Sequence, residues 1–212
     1  MGEVIIMRVI GGCARGRVLK TRKGNEKRPT SDRVKESLFN ILAGMVPGAH
    51  FLDVFAGNGG IGIEALSRGA ATCVFIEKNS NCVKIIKENL LLTGLEARGR
   101  VIQREVDISL VELVKVEERF NIIFLDPPYY SPDLGLALCR IASGNLLAPE
   151  GLLVVEHHRQ YKGWFTQEWL VKREKKYGDT VLSFLVPAAA GGCAYHRTEE
   201  TNDEDSNLSR KL

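Results

Sequence analysis

The sequence predicts an α/β fold with an open, mostly parallel sheet, and three observations predict it. Apolar runs of strand length recur along the chain, stretches with a helical period separate them, and a glycine-rich loop follows the first run. Strands alternating with helices form βαβ units, which lay the strands parallel. A chain of 212 residues with 44% hydrophobic content can bury one substantial core.

The elements follow in order. Thr30-Ser31-Asp32 offers N-cap candidates, and Val34, Leu38, Ile41 and Leu42 form the stripe of an amphipathic helix closed by Gly44 and Pro47. Strand-like runs come at Phe51–Phe55, Thr72–Ile76, Arg100–Arg104 and Asn121–Leu125, with helical stretches near Ile61–Arg68, Ser80–Leu92 and Ser109–Glu118 between them. A helix around Leu134–Ser143 and a strand over Gly151–Glu156 come next. Two β-rich pieces, Glu168–Arg173 and Thr180–Val186, flank Tyr177-Gly178-Asp179 and are expected to pair as a hairpin.

Charge is unevenly placed. Between Met7 and Glu36 ten Lys or Arg face only Glu26, Asp32 and Glu36, so that segment carries +7 while the whole chain carries +3. Such a concentration suits a segment that meets phosphates. At the other end Glu199, Glu200, Asp203, Glu204 and Asp205 sit among Thr, Asn and Ser, the composition of a disordered tail. No apolar run reaches membrane-span length, and residues 1–10 lack the pattern of a secretory signal, so a cytoplasmic protein with no membrane partner is expected. The five cysteines are scattered and never in a Cys-x-x-Cys spacing, which speaks against a disulfide framework and against a metal site.

In open α/β sheets ligands bind beyond the carboxyl ends of the strands. Four successive ends here carry acids: Asp53, Glu77, Glu105 or Asp107, and Asp126. The loop after the first strand runs from Asp53 through Phe55, Gly57, Asn58 and Gly59 to Gly62, a Gly-x-Gly-x-x-Gly spacing that lets the backbone turn sharply and approach a ligand. Glu77, twenty residues after Gly57, stands where a carboxylate accepts hydrogen bonds from the hydroxyls of an adenosine ribose. A nicotinamide dinucleotide shares those features, but its pyrophosphate opposes this many acids. The amino group, sulfonium and ribose of S-adenosylmethionine suit them.

Asp126-Pro127-Pro128-Tyr129 directly follows the fourth apolar run. Two prolines fix φ and remove N–H donors, leaving the Asp126 carboxylate and the Pro127 carbonyl as outward-facing acceptors. A nucleobase amino group is a poor nucleophile because its lone pair is delocalised into the ring. Two acceptors on its hydrogens favour pyramidal nitrogen, and Tyr129 offers a stacking face. The pair His157-His158 reads as surface or core rather than as a ligand site. A non-catalytic RNA-binding factor on the same fold leaves the intact tetrapeptide unexplained. An enzyme acting on DNA shares that tetrapeptide but normally needs a separate recognition domain.

Together the Asp53–Gly62 loop, Glu77 and Asp126–Tyr129 resemble the class I S-adenosylmethionine-dependent amino-methyltransferases of nucleic acids. Met7–Gly12, Arg15–Arg17 and Arg28–Leu42 are similar to the RsmD family, the 16S rRNA (guanine-966-N2) methyltransferases, and the resemblance covers roughly residues 7–186. It implies a Rossmann-like, seven-stranded, mostly parallel sheet with an antiparallel C-terminal strand. It also implies a basic N-terminal β-hairpin arm over residues 1–29, a methyltransferase domain over 30–187 and a tail over 188–212. S-adenosylmethionine is the implied cofactor, held by Asp53, Phe55, Gly57, Asn58, Gly59, Gly62, Glu77, Lys78, Glu105, Val106 and Asp126. The implied partner is 16S ribosomal RNA, free or within a small-subunit particle, bound by a monomer through Arg8, Arg15, Arg17, Arg22, Lys23, Arg28 and Arg33. Asp126, Pro127, Pro128 and Tyr129 are the implied catalytic residues. This chain has Glu105-Val106 after the third strand where the family usually has a small acid or amide followed by Ala, so the adenine falls to Glu105 or to Asp107.

Overall fold

A computed structural model describes residues 7–21, 32–128, 133–161 and 168–188. In chain order the elements are α1 (Asp32–Ile41), β1 (His50–Val54), α2 (Gly60–Ser67), β2 (Thr72–Ile76), α3 (Ser80–Thr93), a 3-10 turn (Glu96–Arg98), β3 (Gly99–Ile102), α4 (Val106–Lys115), β4 (Phe120–Leu125), α5 (Asp133–Ser143), β5 (Leu147–His158), β6 (Trp169–Tyr177) and β7 (Thr180–Pro187). The strands form one sheet in the order β3-β2-β1-β4-β5-β7-β6. Its β1–β2, β1–β4, β2–β3 and β4–β5 pairs are parallel, and β7 runs antiparallel to both β5 and β6. This is the expected mostly parallel sheet with its antiparallel C-terminal strand.

Alternation along each strand divides the core between the two faces of the sheet. On one face Phe51, Phe75, Phe124, Val154 and Phe184 pack with Leu38 and Phe39 of α1, Ile63 and Leu66 of α2 and Ile86 and Leu90 of α3. On the other, Leu52, Val74, Ile123, Leu125 and Val155 pack with Leu110 and Leu113 of α4 and Leu134, Leu138 and Ile141 of α5. Central strands buried on both faces read as unbroken apolar runs, as Ile122–Leu125 does.

Several boundaries differ from the sequence reading. β1 stops at Val54 because Phe55 turns to φ 63°, where extended pairing cannot continue. β3 ends at Ile102, and Glu105 at the N-cap starts α4 three residues before Ser109. β5 extends back to Leu147 across a register shift opposite Phe120–Ile122. β6 continues to Tyr177, so the hairpin turn is only Gly178-Asp179.

The described part of the basic N-terminal segment folds onto the sheet's first face. Arg8 and Val18 form an antiparallel bridge, and Val9, Ala14 and Leu19 are buried in the core shared with α1, α2 and α3. The basic side chains of the segment stay outside: Arg8, Arg15, Arg17 and Lys20 are exposed, as is Val18. The expected tail lies outside the described residues beyond Ala188. Among the described residues no helix is long and apolar enough to cross a membrane.

Candidate active site

Chain connections leave β1 toward β2 on one side and pass to β4 on the other, so a crevice opens at the carboxyl ends of β1 and β4, the topological switch point of the sheet. A cleft of about 540 Å³ occupies it, within the usual size of a small-ligand site. Acids from all four strand ends reach this cleft. Asp53, Glu77, Glu105, Asp107 and Asp126 line it together with Phe55, Gly57, Asn58, Lys78, Val106, Pro127 and Pro128.

Asp53 is buried at the end of β1, and its Oδ2 accepts the Gly62 N–H at 2.9 Å. It therefore caps the first turn of α2 and lines the cleft at once. Burial pushes its pKa up to about 8, opposed by the Gly62 hydrogen bond and reinforced by the nearby charge of Glu77. Glu77 follows β2 and accepts the Gly57 N–H at 2.9 Å on Oε2 and the Asn79 N–H at 2.7 Å on Oε1. Each carboxylate oxygen has two lone pairs, so both retain acceptor capacity.

The glycines divide by role. Gly57, at φ 54°, lines the cleft, and the nearest atom to a Cβ there is the Phe55 carbonyl oxygen at 4.0 Å. Gly59 and Gly62 do not line the cleft. Gly59 is the N-cap of α2 at φ 76°, and a Cβ on Gly62 would lie 2.2 Å from the Phe75 ring. Gly62 thus serves close packing of α2 on β2 and holds Asp53, a correction to its reading as a direct ligand contact.

At the far wall Lys78 pairs with Glu105 at 3.3 Å, and the Arg140 Nε donates to Asp107 Oδ1 at 2.7 Å. Asp126 and its two prolines leave the end of β4 beside the end of β1, with the Asp126 N–H directed to the Val54 carbonyl at 3.4 Å. Tyr129, Arg22, Lys23 and Arg28 lie outside the described residues. Arg33 is exposed on α1, and Arg8 pairs with Asp32 at 3.4 Å. His157 is buried against Ser183 Oγ at 2.8 Å, away from the cleft lining.

Several site residues were missed by the sequence reading. Met7, Lys35, Asp133 and Leu136 also line the cleft. Lys35 is buried on α1 and donates to the Arg8 carbonyl at 2.6 Å, with Glu64 of α2 at 3.6 Å. Burial lowers its pKa against the pull of Glu64 and Asp32. Glu64, wholly buried, accepts the Ile10 N–H at 2.8 Å, the Gly11 N–H at 2.7 Å and Arg68 Nε at 2.7 Å. Only a lysine and a glutamate on apolar helical faces marked these residues in sequence, a signal too common to single them out.

The donor set fits one kind of ligand. Carboxylates dominate the lining, and each lysine in it has a carboxylate nearby. A ligand with hydroxyls, amino groups and positive charge is favoured there, and a pyrophosphate is opposed. This sheet and cleft define a class I, Rossmann-like methyltransferase.

The family model described as conserved hypothetical protein 95 matches residues 7–186. The chain belongs to this family, the RsmD family. YlbH of Bacillus subtilis (strain 168) is 40% identical over 175 residues, 82% of this chain and 95% of that protein. The Ribosomal RNA small subunit methyltransferase D of Haemophilus influenzae is 32% identical over 177 residues, 84% of this chain and 90% of that protein. The solved structure of yhhF from Escherichia coli superposes with a TM-score of 0.73 at 33% identity, over 85% of this chain and 97% of that one.

Proposed function

We propose that the protein methylates the exocyclic N2 of a guanine in bacterial small-subunit ribosomal RNA, guanine 966 of the 16S molecule, using S-adenosylmethionine. One observation carries the reading: Asp126, Pro127 and Pro128 line the same cleft as Asp53 and Glu77, so amino-group acceptors and cofactor-type acids face one space. Membership of the RsmD family supports the choice of nucleic acid.

Asp53 and Glu77 are the residues that would hold the cofactor, Glu77 at the ribose hydroxyls and Asp53 toward the cationic end. Phe55, Gly57 and Asn58 form the loop beneath it, and Asp107, steadied by Arg140, is better fixed for the adenine amino group than Glu105 on the exposed rim. Bound there, S-adenosylmethionine supplies an electrophilic methyl group. The chain's own residues act on the guanine. Asp126 and the Pro127 carbonyl accept the two N2 hydrogens, which localises the nitrogen lone pair and stabilises positive charge as it develops. Tyr129 stacks the base, and the two prolines keep both acceptors preorganised. A paired guanine hides N2, so the target base must be exposed or drawn from its stack. Arg8, Arg15, Arg17 and Arg33, together with Arg22, Lys23 and Arg28, supply the backbone contacts that hold the RNA for this.

The test is methylation of 16S ribosomal RNA and of small-subunit particles from cells lacking this protein, with the product mapped by nucleotide. Restoration of N2-methylguanine at position 966 is expected. Methyl groups on another atom, or none on either substrate, overturn the assignment.

A further inference from the structure

We infer that the edge strand β6 is a second RNA-backbone surface, which extends the substrate footprint from the cleft to the far side of the sheet. This rests on the ribosomal RNA reading above. β6 is the last strand in the sheet order, and four of its nine residues are basic: Lys172, Arg173, Lys175 and Lys176. Its single acid, Glu174, already accepts the Ser183 hydroxyl at 3.3 Å. Among the described residues none of the four cations has an ion-pair partner, whereas Arg100, Arg104, Arg140 and Arg159 each pair with a carboxylate.

Topology brings these charges to the site. Both β5 and β6 are antiparallel to β7, so β6 runs with the parallel strands and its Lys175–Tyr177 end lies at the sheet edge where the cleft opens. From β4 to β6 there are three strand steps, roughly 14 Å at the usual strand spacing. That is a distance a few nucleotides can cross. Register assigns sides as well: Arg173 and Lys175 pair with Phe184 and Leu182, whose side chains belong to the core under α1. The end of the strand is tied to α1, because Tyr177 Oη hydrogen-bonds Ser37 Oγ. Two residues along α1, Lys35 lines the cleft, and Arg33 beyond it is exposed. Arg33 thus adds an exposed cation on the helix that both lines the cleft and ties the end of β6, whereas Lys35 itself is buried against Glu64. Unpaired like charges on one strand repel each other, and a polyanion laid across them removes that repulsion while releasing counterions.

Lysines on an edge strand also keep it from pairing with another copy, and the experiment separates the two roles. A variant carrying Arg173→Gln and Lys175→Gln, the two cations on the α1 side of the strand, is compared with one carrying Lys84→Gln and Lys87→Gln, which removes equal charge from helix α3. Binding of a 16S ribosomal RNA transcript is measured from low to moderate salt, with S-adenosylmethionine affinity, thermal unfolding and sedimentation as companions. The β6 variant is expected to lose up to about 0.9 of salt slope per lost phosphate contact, with cofactor affinity, melting temperature and monomer size unchanged and the control variant close to wild type. Wild-type RNA binding and slope in the β6 variant overturn the proposal, and self-association alongside them assigns the charges to edge protection. Equal losses in both variants make the effect one of net charge and overturn it too. If the unmodified protein shows no salt-dependent RNA binding at all, it is the ribosomal RNA reading that fails.

Discussion

The buried side-chain amide of Asn89 donates to the Asn58 carbonyl of the loop between β1 and α2 at 3.1 Å and to the Lys20 carbonyl at 3.0 Å, while its oxygen accepts the Lys20 N–H at 2.8 Å. One residue of α3 thus joins the loop under the cleft to the basic N-terminal segment. Asn89→Leu leaves three backbone groups without this partner, at about 1–3 kcal/mol for each that water cannot reach. A loss of about 2–4 kcal/mol in denaturant unfolding is expected, with weakened S-adenosylmethionine binding. Asn89→Asp keeps the acceptor and turns both donors into acceptors facing carbonyls, so it should be no better. Wild-type stability in both variants would show that the link is dispensable.

Glu77 sits under two backbone N–H groups, and its removal should act on cofactor and loop together. Glu77→Ala should weaken S-adenosylmethionine binding by roughly 1.5–3 kcal/mol, the scale of hydrogen bonds to a charged group. Calorimetry on a folded variant measures this, and unchanged affinity removes Glu77 from the ribose.

Asp53 gives a pH dependence with a definite sign. Its pKa is raised from 3.8 to about 8, first by burial, so the folded protein binds one more proton than the unfolded chain between those values. Stability from this group is therefore greatest at low pH and falls as pH rises toward about 8, flattening beyond. A cationic ligand favours the ionised form, so cofactor affinity should rise over the upper part of the same range. Binding at pH 7 should release protons, read from calorimetry in buffers of different ionisation enthalpy. Asp53→Asn keeps an acceptor for Gly62 and should be more stable than wild type at pH 8, yet bind cofactor more weakly. A flat affinity profile and no proton release would remove the ionised Asp53 from the binding step.

Asp126→Ala removes one acceptor of the pair proposed to polarise the guanine amino group. Deleting one preorganised electrostatic contact costs on the order of 10²–10³ in rate, so single-turnover methyl transfer should fall by about that much with RNA and cofactor binding retained. Asp126→Asn keeps one acceptor and should be slow but active. A wild-type single-turnover rate in Asp126→Ala would make the motif structural.

By itself the sequence determined the sheet, the order of strands and helices along the chain, and the acids at the strand ends. Each of these is written in local signals: apolar runs such as Phe51–Val54 and Ile122–Leu125, glycines and prolines at turns, and a carboxylate directly after a strand. Only the tertiary structure decided what the buried polar residues do. Asn89 meets a partner 69 residues away and Glu64 partners 53 and 54 residues away, and such pairings leave no periodic trace in either segment. The same limit applies to Gly62, which the Gly-x-Gly-x-x-Gly spacing offers as a ligand contact and the fold uses to seat α2 against Phe75. A missing Cβ looks alike in sequence whether a ligand or a phenyl ring fills its space, and which one does depends on elements that meet only when the chain is folded.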